Sequence, residues 1–252
     1  MSGNNRIAWI SPDDPPQAFP DIGRALREPD GLLAAGGDLG SRRLLAAYRL
    51  GIFPWYGPGQ PILWWSPDPR CVLFPGTFHA SRRLRRELRG SDAEIRFNTC
   101  FDAVVAACAE PRPGQDGTWI VPEMIAAYSR LHAEGWAHCV EVWQQDALIG
   151  GLYGVAIGRV VFAESMFSRR SNASKYALYA LSQLLKERKF ELIDCQVMSE
   201  HLTTLGAVLL PRARFADMLA AGCDPAERFM DWPDEPLRAS AIESIGADAA
   251  LQ

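Results

Sequence analysis

The stretch FELIDCQV (Phe190 to Val197) constrains the fold more than any other, because it is a near-continuous apolar run with polar residues set inside it. Such a run reads as a strand buried on both faces, and a strand covered on both sides requires a layered α/β arrangement. The preceding sequence supplies the layers. EIRFN (Glu94 to Asn98) alternates like a strand, and FDAVVAACAE and VPEMIAAYSRLHAEG have helical spacing. HCVEVW, the turn QQD and ALIGGLYGV then predict a hairpin, with RVVFAESMF as a third strand. A long helix follows from Asn172, its expected N-cap, to about Arg188, with Leu178, Leu181 and Leu185 on one face. It serves as the crossover into the final strand, so the fold class is α/β (α+β) with a mixed sheet.

The first third differs. Pro and Gly break it into SPDDPPQAFP, LREPDGLLAAGGDLG and GIFPWYGPGQPILWWSPDP, with one short helix, SRRLLAAYRL, capped by Ser41. This predicts a small N-terminal domain over 1–68, a larger domain over 69–232, and an acidic tail over 233–252 with little structure of its own. Trp55, Trp64 and Trp65 exceed what so small a core buries easily.

Composition excludes several classes. With 48% hydrophobic and 22% charged residues, the 252-residue chain has the apolar surface for a real core. No apolar run approaches the ~20 residues that cross a bilayer, and the N-terminus lacks a leader pattern, so a cytoplasmic location is expected. The six cysteines form no C-x-x-C pair and the four histidines no H-x-x-x-H, which disfavours a metal site. His138-Cys139 reads as a surface imidazole beside a core thiol. Dinucleotide, P-loop, serine-hydrolase and zincin motifs are missing.

Charge is uneven. From Asp217 onward eight acids face two bases, a net of −6, so the preceding 216 residues carry +2 of the formal −4. Much of the positive charge lies in SRRLRRELRG, where Arg82, Arg83, Arg85, Arg86 and Arg89 crowd a helix whose Leu84 and Leu88 face away. Such bunching suits phosphate-backbone contacts, with a solvated surface as the alternative.

Asp194 and Gln196, two apart on a strand, are expected to share a face with Cys195 on the other. A carboxylate among Leu192, Ile193 and Val197 must be paired; it either caps a neighbouring loop or belongs to a site. Glu164 ends the third strand of the meander, where it either binds a cationic group or pairs with Arg169 or Arg170. Ser168 and Asn172, in the loop SRRSNASK that opens the long helix, are candidate substrate-binding residues.

GIFPWYGPGQPILWWSPDPRCVLFP, FAESMFSRRSNASKYAL and LIDCQV followed by HLTTLGA together resemble the leucyl/phenylalanyl-tRNA protein transferase family. So do LREPDGLLAAGGDL, GTWIVPEMIAAYSRLHAEGWAHCVEVW and GGLYGV, and the resemblance spans about Phe19 to Leu219. It implies a larger domain like the acyl-CoA N-acyltransferase fold. Acetyltransferases of that fold hold pyrophosphate with a glycine loop, and SRRSNASK has no glycine, which disfavours coenzyme A and leaves no cofactor.

The resemblance further implies transfer of Leu or Phe, Met more weakly, from aminoacyl-tRNA to proteins beginning with Arg or Lys, marking them for the N-degron pathway. By the same resemblance Asp194 and Gln196 are the catalytic pair with Glu164 beside them. Trp55 and Trp119 are substrate-site aromatics, Leu152 and Ile193 line the amino-acid pocket, and the Arg82 cluster meets the tRNA. The mechanism expected has Gln196 accept a hydrogen bond from the attacking amine and Asp194 polarise Gln196. Ala163 stands where the family usually has Gly, and Leu152 replaces a more familiar Met. A monomer without metal or membrane contact is expected. An RNA-binding module and an acyltransferase with a different donor are the rivals.

Overall fold

A computed structural model describes residues 7–111, 118, 120–223 and 228–245. In chain order the first part holds β1 (Ala8–Ile10), β2 (Leu32–Gly36), α1 (Ser41–Arg49), β3 (Phe53–Pro54) and β4 (Leu63–Trp65). The second begins with β5 (Arg70–Leu73), α2 (Arg82–Arg89), β6 (Glu94–Phe97), α3 (Phe101–Ala109) and α4 (Pro122–Ala133). It continues through β7 (Ala137–Gln144), β8 (Ala147–Ile157), β9 (Val160–Ser168), α5 (Ala173–Glu187) and β10 (Leu192–Gln196). The last elements are α6 (Glu200–Thr204), β11 (Val208–Leu210), α7 (Arg212–Gly222) and β12 (Leu237–Arg238).

Two sheets result, a small one ordered β1-β2-β4-β3 and a large one ordered β11-β5-β10-β9-β8-β7-β6-β12. In the large sheet β7, β8 and β9 form the antiparallel meander, while β9 and β10 run parallel across the α5 crossover. This is the mixed-sheet arrangement that the order of hydrophobic periods predicts. The final strand, however, lies inside the sheet, because β5 pairs with its free edge and β11 with β5. RCVL is too short and too closely flanked by proline to announce itself as a central strand.

Alternation along the strands sends side chains into two cores, one on each face. Tyr153, Phe162 and Leu192 join one with Tyr48, Trp64 and Tyr128; Leu152, Val161 and Ile193 join the other with Leu84, Leu178 and Ile242. The small sheet therefore shares the first core with the large one. That sharing explains Trp64, which is fully buried and donates its indole N–H to the Gly36 carbonyl at 2.8 Å.

Three local expectations are corrected. Ser41 is the first residue of α1, not its cap, and its hydroxyl donates to Glu134. His138 is buried, not at the surface: it stacks on Trp232 at 4.5 Å, and burial holds its pKa down to about 3. The chain after Trp232 has structure as well. β12 pairs with β6, and a 3-10 turn at Ala239–Ser244 buries Ala239 and Ile242 against α2 and α5.

Candidate active site

β10 carries its carboxylate into the first core, and Asp194 is fully buried there. Its partner comes from the neighbouring strand, 124 residues earlier: Arg70 Nε and Nη2 donate to Oδ1 and Oδ2 at 2.8 and 2.6 Å. The third guanidinium nitrogen, Nη1, donates to the Gly51 carbonyl at 3.1 Å, and the plane lies 4.7 and 4.8 Å from the Phe53 and Phe215 rings. A bidentate, fully hydrogen-bonded pair is the arrangement in which buried charges offset their desolvation.

Just past Asp194 the strand bulges. Asp194 stands opposite Val72 and Gln196 opposite Cys71, so Cys195 is the extra residue, and Gln196 has φ +62°. The Gln196 amide N–H donates to Asp194 Oδ1 at 2.9 Å, which ties this turn to the ion pair. The period of two fails at the bulge. Gln196 and Cys195 both line a small cavity while Asp194 stays in the core.

A second bulge serves the facing carboxylate. Tyr153 pairs with Ser165 and Gly154 with Ala163, leaving Glu164 as the extra residue of β9. Its Oε1 accepts from Gln196 Nε2 at 2.8 Å and its Oε2 from the Tyr128 hydroxyl at 2.7 Å. Tyr48 lies 2.5 Å from Tyr128, hydroxyl to hydroxyl. Burial raises the Glu164 pKa to about 7; hydrogen bonds from Tyr128, Tyr48 and Gln196 oppose the rise, and the Asp194 charge adds to it. Burial and the Glu164 charge also hold both tyrosines well above their ordinary value, so they remain donors. The carboxylate on the Gln196 amide is thus Glu164, whereas Asp194 holds the Gln196 backbone.

Gln196 and Glu164 form the polar end of a cavity of about 110 Å³ whose other walls include Leu152, Met166, Leu178 and Leu202. With Nε2 committed to Glu164, Oε1 is the Gln196 atom left to accept a hydrogen bond from a ligand. Leu152 lies in the wall, as expected. Ile193 is buried in the same core as Leu152 and is not a wall residue. Trp55 is 42% exposed and packs on Trp65 at 5.6 Å, outside this cavity. Trp119 lies outside the described residues.

Ser168, not Asn172, caps α5 with its side chain: the Ser168 hydroxyl accepts the Ser174 N–H at 2.9 Å. Asn172 occupies the cap position with φ +64° and donates Nδ2 to Glu87 at 2.6 Å. Ser168 lines a cleft of about 580 Å³ that shares Met166 with the small cavity; Asn172 and Arg83 line another of about 420 Å³. Arg82, Arg83, Arg85, Arg86 and Arg89 are exposed on α2 while Leu84 and Leu88 are buried. Arg83 pairs with Glu87 at 2.8 Å, and Arg85 and Arg89 lie 3.4 and 3.9 Å from Glu243. Among the described residues Glu164 forms no ion pair with Arg169 or Arg170, and Arg169 holds Glu110 instead.

Three residues of the site escaped the sequence reading. Tyr48 and Tyr128 sit at core spacing on their helices, beside Leu44 and Leu131, and look like ordinary core aromatics. Arg70 had one signal, the demand of Asp194 for a cation, with nothing local to say which. Among the described residues no group of three or more His, Cys, Asp or Glu is placed to hold a metal, and no helix is long and apolar enough to cross a membrane.

A mixed sheet with a crossover helix, presenting a carboxylate and an amide in a pocket the size of one apolar side chain, defines an acyl-transferring enzyme. Comparison with known families agrees. The family described as leucyl/phenylalanyl-tRNA protein transferase matches residues 72–220, and its N-terminal domain matches 37–68. A leucyl/phenylalanyl-tRNA–protein transferase of Stutzerimonas stutzeri is 55% identical over 218 residues, 86% of this chain and 96% of that protein. Similar proteins of that name from Aromatoleum aromaticum and Pseudomonas aeruginosa are 57% and 53% identical, over 85% and 90% of this chain and 89% and 96% of theirs. The chain belongs to the leucyl/phenylalanyl-tRNA protein transferase family and is an aminoacyltransferase.

Proposed function

We propose that this chain moves Leu or Phe, and Met more weakly, from aminoacyl-tRNA to the α-amine of proteins beginning with Arg or Lys. It acts as a monomer in the cytoplasm, without cofactor, and its products enter the N-degron pathway. The observation that carries the reading is the Gln196–Glu164 hydrogen bond at the polar end of an apolar cavity. The aminoacyl side chain fills the apolar part against Leu152 and Met166, which places the ester carbonyl beside Gln196.

The α-amine has an ordinary pKa of about 7.7 to 8.0, so a useful fraction is neutral near pH 7. Gln196 Oε1 accepts one amine hydrogen and aims the lone pair at the carbonyl. The C–N bond forms, the ester C–O bond breaks, and the amine proton ends on the departing ribose oxygen. Asp194 is a positioning residue in this scheme, spent on Arg70 and unable to meet a substrate cation. Glu164 supplies negative charge for a basic acceptor, since Glu110 in the adjoining cleft is already paired with Arg169. Leu152 and Ala163 both line the cavity, and the methyl of Ala163 narrows it. Such a change is worth about 1 to 3 kcal/mol, enough to alter preference among Leu, Phe and Met.

Transfer of labelled Phe from charged tRNA is tested on peptides beginning with Arg, acetyl-Arg and Ala. Labelling of the Arg peptide alone is expected. Equal labelling of the Ala peptide removes the N-terminal specificity, and no labelling with tRNA binding intact leaves an RNA-binding protein.

A further inference from the structure

The 420 Å³ cavity beside the catalytic one differs in chemistry from the other large clefts. His79, Arg83 and Lys175 line it together with the hydroxyls of Ser81, Ser171 and Thr204, and no carboxylate does. The cleft beside α4 contains Glu123, the one beside α3 contains Glu110, and the catalytic cavity contains Glu164. Arg83 is already compensated by Glu87, whose other oxygen takes the Asn172 amide. Among the described residues no carboxylate lies within ion-pair distance of Lys175, which leaves it the uncompensated cation of the cavity.

Position adds to chemistry. On α6, Leu202 lines the catalytic cavity and Thr204 lines this one, so the two lie on either side of a single helical turn. Arg83 and Leu84 join this cavity to the cationic helix α2. The cavity therefore lies between the Gln196 end of the catalytic cavity and the cationic helix α2.

We infer that this cavity binds a backbone phosphodiester of the donor tRNA's acceptor strand, with Lys175 and His79 among its ligands. The inference rests on the tRNA donor proposed above and assigns it a specific contact near the reacting end. Lysine serves here as a point charge, with the Ser81 and Ser171 hydroxyls donating to the phosphate oxygens, since the Thr204 hydroxyl donates to the His201 carbonyl at 2.7 Å. The exposed arginines of α2 then contact the strand further on.

Binding and transfer are measured separately. Affinity for tRNA is followed across about 50 to 200 mM salt for the wild type, Lys175→Gln and Lys175→Arg. Lys175→Gln is expected to bind about tenfold more weakly at low salt, with Lys175→Arg close to wild type. Its plot of log affinity against log salt is expected to be shallower by about 0.7, the loss of one phosphate on a single strand. In transfer, KM for Phe-tRNA rises about tenfold while kcat/KM for phenylalanyl-adenosine, which carries no phosphate, stays unchanged.

An unchanged salt slope overturns the site, as does an equal loss with phenylalanyl-adenosine, which would mean that Lys175 only supports the fold of α5. A wild type that binds tRNA with the slope difference but transfers from neither donor overturns the transfer reading and leaves the phosphate site standing.

Discussion

Asp194 and Glu164 sit a few side chains apart, and their surroundings give them opposite tasks. Asp194 is matched atom for atom by Arg70, and neither is accessible to solvent. Asp194→Asn strands the Arg70 guanidinium without a counter-charge, and a loss of about 3 to 5 kcal/mol in stability is expected from urea unfolding. An unchanged midpoint would show that the pair does not hold the strand. Glu164 is matched by neutral donors only, so its charge remains expensive. Because its folded value of about 7 exceeds the ordinary 4.5, the folded chain holds this proton more tightly than the unfolded chain between those limits. The stability it contributes is complete below about 4.5 and lost as pH rises through about 7, on the order of 3 kcal/mol in all. Glu164→Gln should flatten that part of the stability profile. It should also remove an inflection near pH 7 from the transfer rate, leaving only that of the acceptor amine. A variant with the wild-type profile would assign the titration to another group.

At the scale of elements, two bulges make the site. One in β10 turns Gln196 into the cavity, and one in β9 turns Glu164 toward it. Gln196 holds a left-handed backbone that glycine adopts without strain. Gln196→Gly is therefore expected to unfold within about 1 kcal/mol of wild type, while transfer falls about a hundredfold or more. Loss of stability in step with activity would mean that the residue is structural. The elements themselves were legible: the meander and α5 follow from periods of two and 3.6, and β10 from its apolar run. The bulges were not. Each depends on which residue of the neighbouring strand a position faces, and Cys71 opposite Gln196 cannot be read from FELIDCQV alone.

Across the whole molecule, the C-terminal segment closes one edge of the large sheet and brings Glu243 to Arg85 and Arg89. Exposed pairs of this kind contribute at most about 1 kcal/mol to stability. Their consequence lies in competition, since the Glu243 carboxylate, held against α2, occupies arginines that would otherwise meet phosphate. Glu243→Gln is expected to tighten tRNA binding about two- to fivefold at low salt, with the melting temperature unchanged. Equal affinities would show that RNA does not use this part of α2.

The sequence by itself determined the α/β class, the meander and crossover, the cationic helix, and the three polar residues set in apolar strands. All of these are local: they depend on the spacing of residue types within one element, and an apolar strand that contains Asp194 announces a buried charge whatever surrounds it. Only the tertiary structure decided how those residues are used. It assigned Arg70 to Asp194 across 124 residues and gave Glu164, not Asp194, to the side-chain amide of Gln196. It also placed Tyr48 and Tyr128 behind that carboxylate and folded part of the acidic tail onto α2. The physical reason is that a buried polar group specifies that it needs a partner but not which one, and the choice is made where strands from distant parts of the chain come into register.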